Sequence, residues 1–158
     1  MMPNQFKNIL LWRHADAEIA RSGQDDLARV LTPKGEVQAQ DMGKWLNKKL
    51  PKQALVLTSP ALRAVQTAEH LNYKAETADA LQPNASLDEI LSLFDHNAGF
   101  ESIVLVGHQP WMGQLVGCLL GLGSVDLSIK KGAIWWLRLG SREVSKYQLL
   151  TVQTPQLL

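Results

Sequence analysis

The sequence has few of the features that mark several large classes of protein. Its 158 residues include one cysteine, Cys118, so no disulfide bond can form within the chain. No apolar stretch approaches the roughly 20 residues that a membrane-spanning helix needs, and the N-terminal segment lacks the layout of a signal peptide. The formal net charge of +1 gives no general attraction to nucleic acid or to a membrane surface. These absences predict a cytoplasmic protein in which any anion-binding site is local.

The composition itself is typical of a globular domain. Hydrophobic residues make up 46% of the chain and charged residues 20%, a balance that allows a buried core. A chain of this size buries about 70% of its unfolded surface on folding, so it needs no metal or disulfide to fold. The sequence has no repeat, linker or low-complexity segment, and residues 1–158 are predicted to form one domain.

Short apolar runs alternate with helical patterns along most of the chain. The runs are residues 8–12, 54–57 and 103–106. Such nearly continuous runs fit strands that are buried on both faces of a parallel sheet. Two later runs, 133–139 and 147–152, are predicted to pair antiparallel at the edge of that sheet. The pattern predicts an α/β fold with three layers, α/β/α, and a mainly parallel central sheet with an antiparallel edge.

Local signals predict where three of the helices begin. Thr32 has the side chain of an N-cap, and Pro33 suits the first helical position. Ser86 and Glu89 have the spacing of a Ser-x-x-Glu capping box. Ser59 is predicted to cap the helix that follows the second strand. Each helix therefore starts shortly after a strand or a polar loop.

Polar residues suited to binding phosphate follow three of the predicted strands. Arg13 and His14 end the first strand, Ser59 and Arg63 follow the second, and His108 follows the run at 103–106. In open α/β sheets, ligands bind outside the carboxyl ends of the strands. We therefore expect two arginines and two histidines to meet at one edge of the sheet.

These residues stand in motifs that resemble those of a known family. Residues 13–15 (Arg-His-Ala) resemble the Arg-His-Gly signature of the histidine phosphatase superfamily. Residues 59–68 (Ser-Pro-Ala-Leu-Arg-Ala-Val-Gln-Thr-Ala) are similar to its second motif, and residues 107–108 resemble its late Gly-His. The short chain and residues 31–35 resemble most the SixA-type phosphohistidine phosphatases. The resemblance implies the phosphoglycerate mutase-like fold and covers nearly the whole chain in order.

The resemblance also implies a role for each residue of the motifs. His14 would be the nucleophile, which attacks phosphorus and briefly carries the phosphoryl group. Arg13 and Arg63 would hold the phosphoryl oxygens, because a guanidinium offers paired donors. His108 would donate a further hydrogen bond in the transition state, and the Ser59 hydroxyl would contact the phosphate. Neither a metal nor a cofactor is expected in such a reaction.

The sequence departs from the family pattern at two places. Ala15 stands where many relatives have glycine, which predicts an ordinary backbone conformation at that position. Gln109 follows His108 where acid-phosphatase relatives have an aspartate that protonates the leaving group. A substrate with a P–N bond depends less on such a general acid, because an imidazole leaving group takes up a proton near neutral pH far more readily than an alkoxide does. Asp16 is the remaining candidate acid or substrate contact.

The sequence predicts a phosphatase that acts on a phosphorylated protein histidine, such as one in a phosphorelay domain. A short loop after the first strand favours a shallow site that a protein side chain can reach. Two alternatives stay open: a phosphatase of small phosphoesters such as sugar phosphates or nucleotides, and a phosphate-binding module without catalysis. Neither nucleic acid nor a membrane is an expected partner.

Overall fold

The computed structural model describes residues 6–141 and 146–158, and these residues fold around one six-stranded sheet. The strands are β1 (Asn8–Arg13), β2 (Ala54–Thr58), β3 (Ala75–Thr77), β4 (Ser102–Gly107), β5 (Ile134–Leu139) and β6 (Tyr147–Gln153). Their order across the sheet is β3-β2-β4-β1-β5-β6. Strands β1 to β4 run parallel, whereas β5 pairs antiparallel with both β1 and β6. The mainly parallel sheet with an antiparallel edge is confirmed.

Helices cover both faces of this sheet. They are α1 (Pro33–Lys49), α2 (Leu62–Ala68), α3 (Leu87–His96) and α4 (Trp111–Leu119), with short 3-10 turns at Asp26–Ala28, Asp79–Leu81 and Pro155–Leu157. One apolar cluster joins the sheet to α1 and α2, and a second joins the opposite face to α3 and α4. The predicted three-layer arrangement is therefore confirmed.

Strand β1 shows why the sequence favours a sheet that is covered on both sides. Its residues alternate between the two faces, so Leu10 and Trp12 pack with α1 and α2, whereas Ile9 and Leu11 pack with α3 and α4. All four side chains are fully buried. A strand that lies between two helical layers needs apolar residues at every position, and this need produces the continuous run seen in the sequence.

Two of the three predicted helix starts are confirmed. The Thr32 hydroxyl accepts a hydrogen bond from the Gly35 N–H at 3.0 Å, and α1 begins at Pro33. The Ser86 hydroxyl accepts from the Glu89 N–H at 3.2 Å. These bonds satisfy N–H groups that have no partner within the first helical turn.

The prediction for Ser59 was wrong, because α2 begins later, after Ala61, which makes no side-chain capping bond. Ser59 instead accepts the Ala61 N–H at 3.1 Å in the turn before the helix. Strand β3 was not predicted, since Ala75–Thr77 is short and lacks an apolar run. Within residues 6–141 and 146–158, the structure has no helix long and apolar enough to span a membrane.

Candidate active site

The carboxyl ends of three neighbouring strands bring the predicted site residues together. Because β4 lies between β2 and β1, the segments that follow these strands are adjacent. The His14 N–H donates to the Gly107 carbonyl at 3.0 Å, and the Ser59 N–H donates to the Val106 carbonyl at 2.9 Å. The imidazole rings of His14 and His108 lie 5.1 Å apart between their centroids. The expected meeting of these segments at one edge of the sheet is found.

His14 is held in a single, uncharged form. Its side chain is 6% exposed, and its Nδ1 lies 2.8 Å from the Ala15 carbonyl oxygen, which can only accept a hydrogen bond. Nδ1 therefore carries the ring hydrogen, and Nε2 keeps its lone pair. The pKa of His14 is lowered to about 4, chiefly by burial. The hydrogen bond to Ala15 opposes this shift, and the charges of Arg63, Arg13 and Arg29 add to it. At neutral pH the imidazole is ready to act as a nucleophile.

Ala15 links this histidine to α2. Its N–H donates to the Thr67 hydroxyl at 3.0 Å, and that hydroxyl donates to the Arg63 carbonyl at 2.7 Å. Every non-glycine residue that the structure describes has a negative φ, so Ala15 adopts an ordinary backbone conformation, as predicted. The loss of glycine at this position therefore introduces no strain.

Arg13 and Arg63 are both anchored through the far ends of their guanidinium groups. Arg13 Nη1 donates to the Ile129 carbonyl at 2.7 Å. Arg63 is 2% exposed, and it donates from Nη1 to the Asp26 carbonyl at 2.8 Å and from Nη2 to the Asp26 carboxylate at 3.0 Å. Burial lowers the pKa of both groups, but a guanidinium stays charged in proteins. Two positive charges therefore lie beside His14.

His108 is oriented by the hydroxyl of Ser59. Its Nε2 lies 2.8 Å from Ser59 Oγ, and both side chains are buried. Oγ also accepts the Ala61 N–H. When the hydroxyl donates its own hydrogen to Nε2, the ring hydrogen of His108 is on Nδ1. Burial, followed by the charges of His14 and Arg63, lowers the pKa of His108 to about 3. The ring is therefore neutral and has one N–H to donate.

Three buried nitrogens of this site have no hydrogen-bond partner among the described residues. They are Arg13 Nε, Arg63 Nε and His108 Nδ1. Buried polar groups are nearly always paired in native proteins, so a cluster of unpaired nitrogens needs an explanation. An oxyanion offers several acceptor oxygens, which is the kind of partner that these nitrogens lack. The group around His14 can therefore bind a phosphoryl group and deliver a nucleophile to it.

Asp16 lies at the start of the β1–α1 loop (residues 15–32), where its carboxylate is already engaged. It accepts a hydrogen bond from the Thr32 hydroxyl at 2.8 Å and pairs with Lys131 Nζ at 3.3 Å. The hydrogen bond from Thr32 is the largest cause of a lowered pKa at Asp16. The carboxylate is therefore ionised at neutral pH and ties the loop to α1 and to Lys131.

Asp26 and Arg29 were not singled out from the sequence, although Arg29 contributes charge near His14 and Asp26 contributes charge near His108. The Asp26 carboxylate contacts Arg63 through one oxygen and Arg29 through the other, each at 3.0 Å. The Asp26-x-x-Arg29 spacing was a local signal for the second contact, because residues three apart meet within one turn. The contact with Arg63 spans 37 residues, and no local pattern predicts it.

Comparisons with known proteins agree with this geometry. A family model described as "Histidine phosphatase superfamily (branch 1)" matches residues 9–92, which include Arg13, His14 and Arg63. A phosphohistidine phosphatase SixA homolog from Haemophilus influenzae is 29% identical, over 72% of this chain and 77% of the relative. The phosphohistidine phosphatase SixA of Escherichia coli is 31% identical, over 68% and 71%.

Solved structures give the same result for the fold. A structure of the protein histidine phosphatase SixA complexed with tungstate has a TM-score of 0.80 and 27% identity, covering 94% of this chain and 97% of that one. A mutant phosphoserine phosphatase from Entamoeba histolytica, at 15% identity and a TM-score of 0.70, shares the fold over 94% and 98%. The predicted phosphoglycerate mutase-like fold is confirmed. Sequence motifs, strand order and relatives all agree, and the chain belongs to the histidine phosphatase superfamily.

Proposed function

We propose that the protein is a phosphohistidine phosphatase that removes the phosphoryl group from a protein histidine through a covalent intermediate on His14. The observation that carries the proposal is the neutral, buried His14, whose Nδ1 is bonded to Ala15. Near it, Arg13, Arg63 and His108 each have a buried nitrogen without a partner in the part of the chain that the structure describes. The substrate is proposed from the SixA relatives, which are phosphohistidine phosphatases. On the same basis, we propose a phosphorylated protein as the partner.

In the first step, the lone pair of His14 Nε2 attacks phosphorus in line with the leaving group. A new P–N bond forms at Nε2 while the P–N bond to the substrate histidine breaks. The electron pair of the broken bond goes to the substrate imidazole, which takes up a proton and leaves as a neutral ring. The phosphoryl group is then attached to His14, and the dephosphorylated partner can dissociate.

In the second step, a water molecule attacks the phosphorus of phospho-His14. The P–Nε2 bond breaks, its electron pair returns to Nε2, and the water loses a proton as inorganic phosphate forms. His14 returns to its neutral form with the hydrogen still on Nδ1. The Ala15 carbonyl can hold that hydrogen throughout the cycle, so the same nitrogen attacks each time.

The proposed role of Arg13 and Arg63 is to stabilise negative charge on the phosphoryl oxygens. A cation about 4 Å from a phosphate charge gains roughly 4 kcal/mol at an effective dielectric near 20. His108 would add a neutral N–H donor at Nδ1, positioned by the hydroxyl of Ser59. Contacts of this kind, together with alignment of nucleophile and phosphorus, account for most of the catalysis in phosphoryl transfer.

Asp16 and Ser59 receive supporting roles in this proposal. A carboxylate with a lowered pKa is a poor proton donor at neutral pH, so we assign Asp16 to loop attachment and substrate contact rather than to acid catalysis. The leaving imidazole, with a reference pKa near 6.5, takes up a proton without a dedicated acid. Ser59 is fully buried with two partners inside the protein, which favours a role in holding His108 over a direct phosphate contact.

The test is hydrolysis of a phosphorylated phosphorelay-type histidine domain, measured as release of labelled phosphate. The wild-type protein is expected to turn it over faster than a panel of sugar phosphates and nucleotides, and rapid quenching is expected to trap label on His14. A preference for the small phosphoesters would replace the proposed substrate. Phosphate binding with neither turnover nor label on His14 would make the protein a binding module. A cytoplasmic location is part of the proposal, supported by the single cysteine.

A further inference from the structure

One acidic side chain contacts two of the three arginines beside His14, which are Arg13, Arg29 and Arg63. Asp26, in the 3-10 turn of the β1–α1 loop, contacts Arg63 Nη2 through Oδ2 and Arg29 Nε through Oδ1, each at 3.0 Å. The two ends of the Arg63 contact differ in burial, because the Arg63 side chain is 3% exposed and the Asp26 side chain is 54% exposed. A surface carboxylate therefore neutralises a buried guanidinium from outside.

The contact uses only one edge of the Arg63 guanidinium. That group has five N–H bonds in a planar fork, and Asp26 accepts one from Nη1 through its backbone carbonyl and one from Nη2 through its carboxylate. The Nε–H and the Nη2 hydrogen next to it form the other edge, and Nε has no partner among the residues described. This second edge has the paired N–H bonds that a phosphoryl group accepts, and such binding would leave the contacts of Asp26 in place.

Arg13 is held in the same way by a different segment. Its Nη1 donates to the Ile129 carbonyl, and its buried Nε has no partner in the described part of the chain. Both arginines are therefore anchored by their terminal nitrogens and keep Nε for a ligand. At Arg13 the anchor is a neutral carbonyl, whereas at Arg63 it includes a full negative charge.

We propose that Asp26 is a positioning residue for phosphoryl transfer, which fixes the Arg63 guanidinium so that its Nε edge binds the phosphoryl oxygens. The inference rests on the proposed function and adds a residue to it. A long arginine side chain has many rotamers, and a bond at its far end removes most of them before the substrate arrives. The second carboxylate oxygen ties Arg29 to the same turn, so one side chain orders two cations.

The opposite role would be competition, in which the carboxylate occupies Arg63 and has to leave before phosphate binds. The observations favour positioning, since the backbone carbonyl of Asp26 shares the contact and does not depend on the side chain's rotamer. Burial raises the pKa of Asp26, but the hydrogen bonds and charges of Arg63 and Arg29 outweigh it and lower the pKa. The carboxylate therefore stays charged and bound at neutral pH. The two roles predict changes of opposite sign when Asp26 is removed.

The first experiment measures binding of orthovanadate, a phosphate-like oxyanion, by the full chain. Asp26→Ala is expected to weaken binding about 10-fold, because Arg63 loses its fixed orientation. Asp26→Asn keeps an acceptor oxygen without the charge, and its vanadate affinity is expected to fall about threefold. Asp41→Ala, which removes an exposed carboxylate on α1, controls for net charge and is expected to stay within about twofold.

A double-mutant cycle separates positioning of Arg63 from general support of the loop. In the Arg63→Ala background, Asp26→Ala is expected to cause no further loss of vanadate affinity, since the side chain that it orients is gone. Additive losses in the two backgrounds would assign Asp26 a merely structural role and overturn the inference. Thermal melts of all variants report whether the fold persists.

The outcomes also distinguish this inference from the proposed function. Vanadate binding that is unchanged or tighter in Asp26→Ala would overturn the positioning role, as would a wild-type protein that does not bind vanadate. A wild-type protein that binds vanadate, loses that binding in Asp26→Ala and yet does not hydrolyse phosphohistidine would support the positioning role while the proposed function fails.

Discussion

The strand ends and the β1–α1 loop contribute to the site in different ways. His14, Ser59 and His108 follow strands of the central sheet and are at most 6% exposed. The loop is largely exposed, and its Ile19 side chain is 89% exposed. Backbone bonds to β4 hold His14 and Ser59, and the Ser59 hydroxyl holds His108. Asp26 instead reaches the site through side-chain and carbonyl contacts with Arg63. The proposed reacting groups are therefore held at the ends of the strands, whereas the loop contacts one of the two proposed phosphate-binding arginines through an exposed side chain.

This contrast suggests a graded series of effects. Substitutions at the strand ends remove atoms that would touch the phosphoryl group, so their effects on turnover are expected to be large. Substitutions in the loop change orientation or attachment, and surface ion pairs contribute only about 0–1 kcal/mol. Substitutions in both regions therefore test whether their effects on turnover differ in this way.

The largest effect is expected from His14→Ala, which removes the proposed nucleophile. Turnover of a phosphorylated histidine domain is expected to fall about 10⁴-fold or more, because no covalent intermediate can form. His96→Ala, at an exposed position on α3, is the matched control and is expected to leave turnover unchanged. Residual activity above about 1% in a folded His14→Ala protein would contradict the role of His14 as nucleophile. The strand ends would then not differ from the loop in the size of their effects.

A loss of about 100-fold in kcat/KM is expected from Arg63→Lys. Lysine keeps the positive charge, but its ammonium cannot bind Asp26 with one edge and a phosphoryl group with the other. Arg21→Lys, on the exposed part of the loop, makes the same chemical change away from the cluster. Steady-state kinetics on both variants test the point, and equal rates would mean that charge alone is sufficient at position 63.

Vanadate affinity is expected to depend little on pH between 7 and 5.5, whereas the stability of the fold is expected to fall at lower pH. The folded pKa values of His14 and His108, about 4 and about 3, lie below the ordinary value near 6.5. Their contribution to stability is therefore complete above pH 6.5, because the unfolded chain binds protons first. It is lost as the pH falls through about 4 for His14 and about 3 for His108. Vanadate affinity at pH 5.5 is expected to stay within about threefold of its value at pH 7, since His14 remains neutral.

Two measurements check this expectation. NMR titration of the His14 ring resonances is expected to give a midpoint near 4, and a midpoint near 6.5 would show that the imidazole is not desolvated. Thermal melts between pH 7 and pH 4 are expected to show a falling Tm, and replacement of His14 and His108 by asparagine is expected to reduce the slope.

The smallest effect is expected from Asp16→Asn. The amide still accepts the hydrogen bond from Thr32 but loses the charge that pairs with Lys131, so turnover is expected to stay within about twofold. Lys131→Ala removes the other half of the ion pair and is expected to behave alike. A loss above about 10-fold in Asp16→Asn, on a phosphohistidine substrate, would move Asp16 from loop attachment to acid catalysis.

The sequence was sufficient for the features that depend on local pattern. The continuous apolar runs identified β1, β2 and β4, and the Thr32 and Ser86 caps marked α1 and α3, because these signals are contained within a few residues. The motifs at 13–15, 59–68 and 107–108 also located the strand-end part of the site, since parallel strands place their carboxyl ends at one edge.

The missed features depend on contacts between distant residues or on weak local patterns. Ser59 has the chemistry of an N-cap, but its oxygen accepts the Ala61 N–H in the turn before α2. Its hydroxyl also contacts His108, 49 residues away, and no local rule anticipates that contact. Asp26 is in an exposed polar loop and resembles an ordinary surface acid until Arg63 is placed beside it. Strand β3 pairs with β2 although its three residues have no apolar run, so only the existing sheet edge determines it.

The hydrogen bond from His14 Nδ1 to the Ala15 carbonyl has a consequence for the second half of the proposed cycle. A carboxylate at that position would make the ring more basic and would hold the phosphorus more tightly at Nε2. A backbone oxygen inside a buried, positively charged site keeps the ring a weak base instead. Weak bases are good leaving groups, so the environment that limits the attacking strength of His14 also speeds its release from phosphorus when water arrives.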